Sequence, residues 1–177
     1  YVAPLSYVRT NVQGTVNVLE SVRKNNIELM INTSTSETYG TAIYKPIDEK
    51  HPLQGQSPYS ATKIAADKLS ESYHNSFDTP VITIRPFNTF GPRQSSRAVI
   101  PTIITQLLTN QDLKLGELKA TRDFTYVGDT VKGYIKAIES KKLYGEVINL
   151  GYGKTISIFD TAKLIMKILD KEQEIFV

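Results

Sequence analysis

Tyr59 and Lys63 stand four residues apart, directly behind a Ser57-Pro58 pair. A serine followed by proline starts a helix, because the hydroxyl caps the first turn and proline's preset φ suits the first helical position. The spacing then puts the phenol and the ammonium on one face of that helix. An ammonium beside a phenol, near the positive end of a helix, is expected to lower the phenol's pKa. A phenolate accessible near neutral pH is a general base. Read alone, the pair also fits an ordinary amphipathic helix, so its surroundings decide. Those surroundings are Thr35-Ser36-Glu37 upstream and Arg85-Pro86-Phe87-Asn88 downstream.

The elements that must position these residues follow from periodicity. Val8, Val12, Val16, Leu19 and Val22 recur at helical spacing from Ser6 to Arg23, and Asn25-Asn26 is a plausible stop. Residues 28–34 read as a short buried strand of the parallel kind, with Thr35-Ser36-Glu37 at its carboxyl end. Residues 40–56, with Pro46, Pro52 and Gly55, read as a loop over the site. The helix from Pro58 to about Ser76 carries Ile64, Ala65, Leu69 and Tyr73 on its apolar side. Val81-Ile82-Thr83-Ile84-Arg85, bracketed by prolines, is a second buried strand. Helix followed by buried strand, twice over, indicates α/β units around a parallel sheet. Ligands of such sheets gather at the carboxyl ends of the strands, where Thr35 and Asn88 fall.

Beyond Pro86 the expectation is a polar-aromatic loop over 87–94 and a helix from Val99 to Leu108. Short strands follow at 113–115 and 122–127, then a helix from Thr130 to Glu139 capped by Asp129. A strand at 147–150, a helix capped by Ser157 and reaching about Leu169, and a strand beginning at Glu174 complete the reading. Gly151-Tyr152-Gly153-Lys154-Thr155 resembles the end of a phosphate loop, but the first glycine of that motif would fall on Ile148, within a strand.

Composition excludes several classes of function. A net charge of +3 with no basic block gives no footprint for nucleic acid. Zero cysteines exclude a disulfide framework and thiolate metal sites, and suit a cytoplasmic protein. His51 and His74 are too far apart in sequence to suggest a metal centre, so none is expected. No apolar run approaches membrane-spanning length, so no membrane partner is expected. With 22% charged and 40% hydrophobic residues, disorder is not expected.

Six stretches together resemble the extended short-chain dehydrogenase/reductase family, the nucleotide-sugar epimerases and dehydratases. They are residues 10–15, 34–40, 58–63, 85–88, 91–94 and 122–127, in the family's order and across essentially the whole chain. The resemblance implies a partial Rossmann-like doubly wound parallel sheet, its first βαβ units missing, plus part of a small α/β substrate-binding domain. On that reading residues 1–92 are the C-terminal half of the NAD(P)-binding domain. Residues 93–177 are mostly the substrate-binding region, with some elements returning to the first. The family's Gly-rich pyrophosphate turn has no counterpart here, so the chain is expected to be an internal fragment of a longer enzyme that binds dinucleotide weakly by itself.

The same resemblance implies roles. Thr35, Tyr59 and Lys63 would form the hydride-transfer triad, with Tyr59 taking the proton from the sugar 4-hydroxyl. Asn11, Thr33, Pro86 and Phe87 would join Tyr59 and Lys63 in holding NAD, or NADP. Asn88, Arg93, Arg97, Val99 and Arg122 would hold the nucleotide-diphosphate sugar, arginine suiting the diphosphate by its fork of donors. For Arg97 a surface ion pair is the plain alternative. Glu37 separates the subclasses. A 4,6-dehydratase needs a base for the acidified C5 proton, where 4-epimerases usually carry a small or apolar residue. Ser36 or a water would assist Glu37 in the loss of water, or else Glu37 is an exposed loop carboxylate.

The leading expectation is therefore an NAD-dependent 4,6-dehydratase, most like those acting on GDP-mannose or on N-acetylhexosamine nucleotides, including legionaminic-acid pathways. A nucleotide-sugar 4-epimerase is the enzyme alternative, and a non-catalytic nucleotide-sugar-binding or dimerisation fragment the alternative of another class. The helices at 6–23 and 58–76 correspond to those that pair into a four-helix homodimer interface in relatives.

Overall fold

In the computed structural model, which describes residues 3–177, the β-branched run at 81–86 becomes the middle strand of a parallel sheet. Strands β1 (Met30–Thr33), β2 (Val81–Pro86) and β7 (Val147–Leu150) pair in the order β1-β2-β7, with Ile31 opposite Ile82 and Ile84 opposite Ile148. The other elements, in chain order, are α1 (Pro4–Tyr7), a π-helical segment (Val8–Gln13), α2 (Gly14–Lys24) and a 3₁₀ turn (Ser36–Tyr39). Then come α3 (Pro58–Phe77), β3 (Asn88–Phe90), α4 (Val99–Leu108), β4 (Leu113–Lys114), β5 (Thr121–Arg122) and β6 (Phe124–Tyr126). After β6 follow α5 (Val127–Ile138), a 3₁₀ turn (Lys141–Leu143), β8 (Ile156–Ser157), α6 (Ile158–Leu169) and β9 (Ile175–Phe176).

The chain divides into two units, Tyr1–Phe87 with Asp129–Leu150, and Asn88–Gly128 with Gly151–Val177. In the first, successive side chains of β2 point to opposite faces of the sheet, as pleating requires. Ile82 and Ile84 are fully buried on one face, with Ile31, Ile148 and Leu150 of the neighbouring strands and with Tyr134 and Ala137 of α5. Thr83 and Arg85 face the other way and are equally buried, with Asn32 and Ser34 of β1 and its end. That polar face meets α3: Arg85 Nε lies 3.0 Å from Asp67 Oδ2, both side chains within 4% of complete burial. Both faces of the sheet are thus covered by helix, as parallel sheets require.

The second unit is built on an apolar cluster of Ile103 and Leu107 from α4, Leu113 and Leu115, and Ile158, Ala162 and Met166 from α6. Three two-stranded pairings frame it: β3 with β6 and β4 with β9 in parallel, and β5 with β8 antiparallel. Ser157 Oγ caps α6 by accepting from Asp160 N at 2.9 Å, as the sequence suggests.

Several expectations are corrected. The first helix starts at Pro4 and is wound wide between Val8 and Gln13, where Gly14 N donates to Arg9 O. The strand expected over 28–34 covers only Met30–Thr33, with Met30 and Ile31 half-buried, Asn32 buried and Thr33 exposed. On α3 the fully buried positions are Ser60, Thr62, Ala66, Asp67 and Ser70, while Ile64, Ala65, Leu69 and Tyr73 are half-buried. Polar partners, not periodicity of apolar residues, decide which face turns inward. The 87–94 loop contains β3. The strand over 122–127 is broken at Asp123, whose carboxylate accepts from Tyr152 N at 2.9 Å and Gly153 N at 2.7 Å. Helix α5 begins at Val127, so Asp129 sits inside its first turn and does not cap it.

Candidate active site

The start of α3 is fixed by two serines. Ser57 Oγ accepts from Ser60 N at 3.0 Å, and Ser60 Oγ accepts from Ser57 N at 3.0 Å. Such a reciprocal cap satisfies two otherwise orphaned donors and stabilises a helix start by about 1 kcal/mol. It sets Tyr59, half-buried, in the first turn, with its ring edge-on to Tyr7 at 5.9 Å between centroids.

Thr35 lies where β1 gives way to the 3₁₀ turn. Its hydroxyl oxygen accepts from Glu37 N at 3.2 Å, capping that turn. The same hydroxyl is near enough to the Tyr59 phenol to favour its ionised form. The turn carries Ser36, half-buried, and Glu37, exposed. Burial pushes the Tyr59 phenol above its ordinary pKa, and the nearby Glu37 carboxylate pushes the same way, against the Thr35 hydroxyl. This corrects the expectation of a lowered pKa. The ammonium of Lys63 is turned to Thr33 O, 2.5 Å away. Burial in turn lowers the pKa of Lys63, while the charge of Asp67 opposes that shift.

Thr33 is thereby tied twice, since Tyr134 Oη on α5 donates to Thr33 Oγ1 at 3.2 Å. Asn11 lies inside the π-helical segment and donates to Thr62 Oγ1 at 3.0 Å, beside Lys63. Wide turns of this kind concentrate at functional sites. Pro86 ends β2 and Phe87 N donates to Leu150 O at 2.8 Å, so both stand at the carboxyl end of the sheet. The structure thus gathers Thr33, Thr35, Ser36 and Glu37 at the end of β1, Tyr59 and Lys63 at the start of α3, and Pro86 and Phe87 at the end of β2.

The other expected residues belong to the second unit. Asn88 is exposed on β3, and Arg93 is exposed with a φ of 67°, the left-handed region that non-glycine residues enter rarely. Arg97 is exposed, with its N–H on Ser95 Oγ, and Arg122 is exposed at the end of β5, donating to Thr121 O at 2.9 Å. Val99 opens α4 and packs on the apolar cluster. The glycines at 151–153 form no phosphate cradle, because the Asp123 carboxylate already takes the amides of Tyr152 and Gly153.

Sequence reasoning passed over Asp67, Tyr39, Asn149 and Tyr134. Asp67 had one visible signal, an acid four residues beyond Lys63 on the same helix face; the others had none in local pattern.

Chemically, the cluster offers a phenol beside a threonine hydroxyl, an ammonium held one turn away, and a carboxylate close enough to raise the phenol's pKa. Comparison with known proteins gives this arrangement a context. A family model described as GDP-mannose 4,6 dehydratase matches residues 1–175. An uncharacterized UDP-glucose epimerase of Bacillus subtilis (strain 168) is 34% identical over 160 residues, covering 90% of this chain and 50% of the relative. A dTDP-glucose 4,6-dehydratase of Streptomyces griseus is also 34% identical, over 162 residues, covering 91% of this chain and 49% of the relative. The chain thus spans about half the length of these curated relatives. Among solved structures, a UDP-glucuronic acid 4-epimerase from Bacillus cereus in complex with NAD superposes with a TM-score of 0.93 at 33% identity. That superposition covers 100% of this chain and 58% of the other.

Proposed function

Given that this chain belongs to the GDP-mannose 4,6-dehydratase family, we propose that it carries the proton-transfer site of an NAD-dependent nucleotide-sugar 4,6-dehydratase. The observation that carries the reading is the placement of Glu37. Its carboxylate sits on a turn capped by Thr35 and close enough to Tyr59 to raise the phenol's pKa. A base beside the C4 proton acceptor is what elimination needs and what simple epimerisation at C4 does not.

The residues present fit the nicotinamide end of a dinucleotide. The ammonium of Lys63 has three donors, and among the described residues Thr33 O accepts one of them, at the carboxyl end of a parallel strand where dinucleotides bind. When bound, NAD would take the hydride from C4 of the sugar and return one to C6; NADP would serve the same chemistry. Asn11, Thr33, Lys63, Pro86 and Phe87 would hold it. Tyr59 accepts the proton of the 4-hydroxyl once its own phenol, held protonated by burial and by Glu37, is ionised, and Thr35 donates a hydrogen bond that holds the reacting oxygen in place. The 4-ketone acidifies C5–H, Glu37 removes that proton, and the acid so formed protonates the departing 6-hydroxyl with help from Ser36 or a water; once C6 is reduced, C5 takes a proton from solvent, and Tyr59 gives up to solvent the proton it took. Asn88, Arg93, Arg97, Val99 and Arg122 would hold the sugar nucleotide, the donor fork of an arginine suiting a diphosphate.

The proposal includes a homodimer through α1–α2 and α3, whose apolar side chains Leu5, Val8, Val18 and Phe77 are exposed. Among the described residues no helix is long and apolar enough to cross a membrane. A 4-epimerase is the second reading, favoured by the names of two of the similar proteins. Protein expressed from the complete gene, incubated with NAD and UDP-, GDP- or dTDP-linked hexoses and N-acetylhexosamines, distinguishes them. A product lighter by one water supports the dehydratase; an isomer of unchanged mass supports the epimerase.

A further inference from the structure

Asp67 lies on α3 one turn beyond Lys63 and two turns beyond Tyr59, and it is 3% exposed. Both oxygens of its carboxylate are used. Oδ1 accepts from Asn32 Nδ2 at 3.0 Å; Oδ2 accepts from Ser34 Oγ at 2.8 Å and from Arg85 Nε at 3.0 Å. Ser34 is the residue directly before Thr35. Arg85 then reaches the other side of the site. Its Nη1 donates to Tyr39 Oη at 2.9 Å, and its guanidinium carbon lies 4.9 Å from the centre of the Tyr39 ring. Tyr39 closes the 3₁₀ turn that carries Glu37, and its hydroxyl donates onward to Asn149 Oδ1 on β7 at 2.8 Å.

One buried carboxylate therefore joins the helix bearing Tyr59 and Lys63 to the strand end bearing Thr35. Through one guanidinium it also joins the turn bearing Glu37. A buried ion pair is weak ground for stability, since apolar residues of similar volume often serve as well or better. It does fix geometry, because each of its bonds has a direction and a length. The bonds here run to the segments that supply the chemistry.

We infer that Asp67 is a positioning residue: through Ser34 and Arg85 it sets the spacing of Tyr59, Thr35 and Glu37. The inference rests on the function proposed above. The charge of Asp67 also opposes the loss of charge that burial imposes on Lys63.

The test uses protein expressed from the complete gene, with kcat and KM measured separately at saturating NAD. Asp67→Asn is the direct variant, and it also leaves Arg85 buried beside a neutral partner, so it tests folding as well as position. Ser34→Ala removes only the tether next to Thr35 and leaves the ion pair intact. Since misplacement by about 1 Å can cost about 10²-fold in rate, Ser34→Ala is expected to lower kcat by roughly tenfold or more. KM for the sugar nucleotide stays within about twofold, because binding groups are untouched. A folded Ser34→Ala protein with kcat within about twofold of the parent overturns the inference, whatever Asp67→Asn does. Tyr59→Phe separates the two levels. If it abolishes turnover while Ser34→Ala does not alter it, the positioning role alone fails. If Tyr59→Phe keeps full activity, the reading of the site fails and this inference falls with it.

Discussion

The ammonium of Lys63 donates to the carbonyl oxygen of Thr33, 2.5 Å away, across thirty residues of chain. The bond spans from the first turns of α3 to the last residue of β1, the two elements whose junction forms the candidate site. It also explains why a half-buried lysine stays directed into the sheet's carboxyl end and not outward into water, which its long flexible stem would otherwise favour.

Replacing Lys63 by methionine keeps the stem and deletes the charge and donors. The expected outcome is a loss of about 10²-fold or more in kcat/KM, together with weaker retention of NAD through purification. Steady-state rates and the cofactor content of the purified protein from the complete gene check both. Unchanged NAD content with unchanged rates would remove Lys63 from the site.

The charge of Glu37 raises the pKa of Tyr59, after burial as the larger cause. Neutralising the carboxylate therefore lowers the pH at which the phenol ionises. In Glu37→Gln the tyrosinate absorbance of Tyr59, isolated by subtracting the same titration of a Tyr59→Phe variant, is expected to rise at lower pH than in the parent. A shift to higher pH would mean that the two groups do not face each other.

Glu20 on α2 gives a stability prediction with a defined window. The Arg23 guanidinium beside it, the Tyr73 hydroxyl of α3 and Lys24 hold its carboxyl at about 2, below the ordinary 4.5. A carboxyl whose pKa is depressed by folding contributes stability above its unfolded value and loses it as pH falls through the folded one. Glu20→Gln is thus expected to unfold at lower temperature than the parent near neutral pH, the two converging as pH falls from about 4.5 toward about 2. Thermal unfolding across that range tests it, and a constant difference would contradict the assigned cause.

Much of the fold was legible in the sequence, and the reasons are local. The bounds of α4 and of β7, the Ser57 and Ser157 caps and the buried run at 81–85 are set by periodicity and by residues within a turn of one another. The family was legible as well, because its motifs lie at strand ends and helix starts in an order that fixes topology. What stayed hidden depends on distant partners. The inward face of α3 is chosen by Asp67, whose partners Asn32, Ser34 and Arg85 lie on other elements. The break at Asp123 is made by amides about thirty residues later in the chain. The raised pKa of Tyr59 follows from burial, which no spacing rule reports. The π-helical winding around Asn11 likewise has no mark in its apolar pattern.

The central claim is that Glu37 makes this site one for elimination. Running the reaction of the complete-gene protein in deuterium oxide tests it most directly, with position C5 of the product read by mass spectrometry and proton NMR. The account predicts solvent deuterium at C5 and loss of the C6 oxygen in the parent, and neither in Glu37→Gln. A product that keeps its C6 oxygen and its original C5 hydrogen, formed equally well by Glu37→Gln, would contradict it and identify an epimerase.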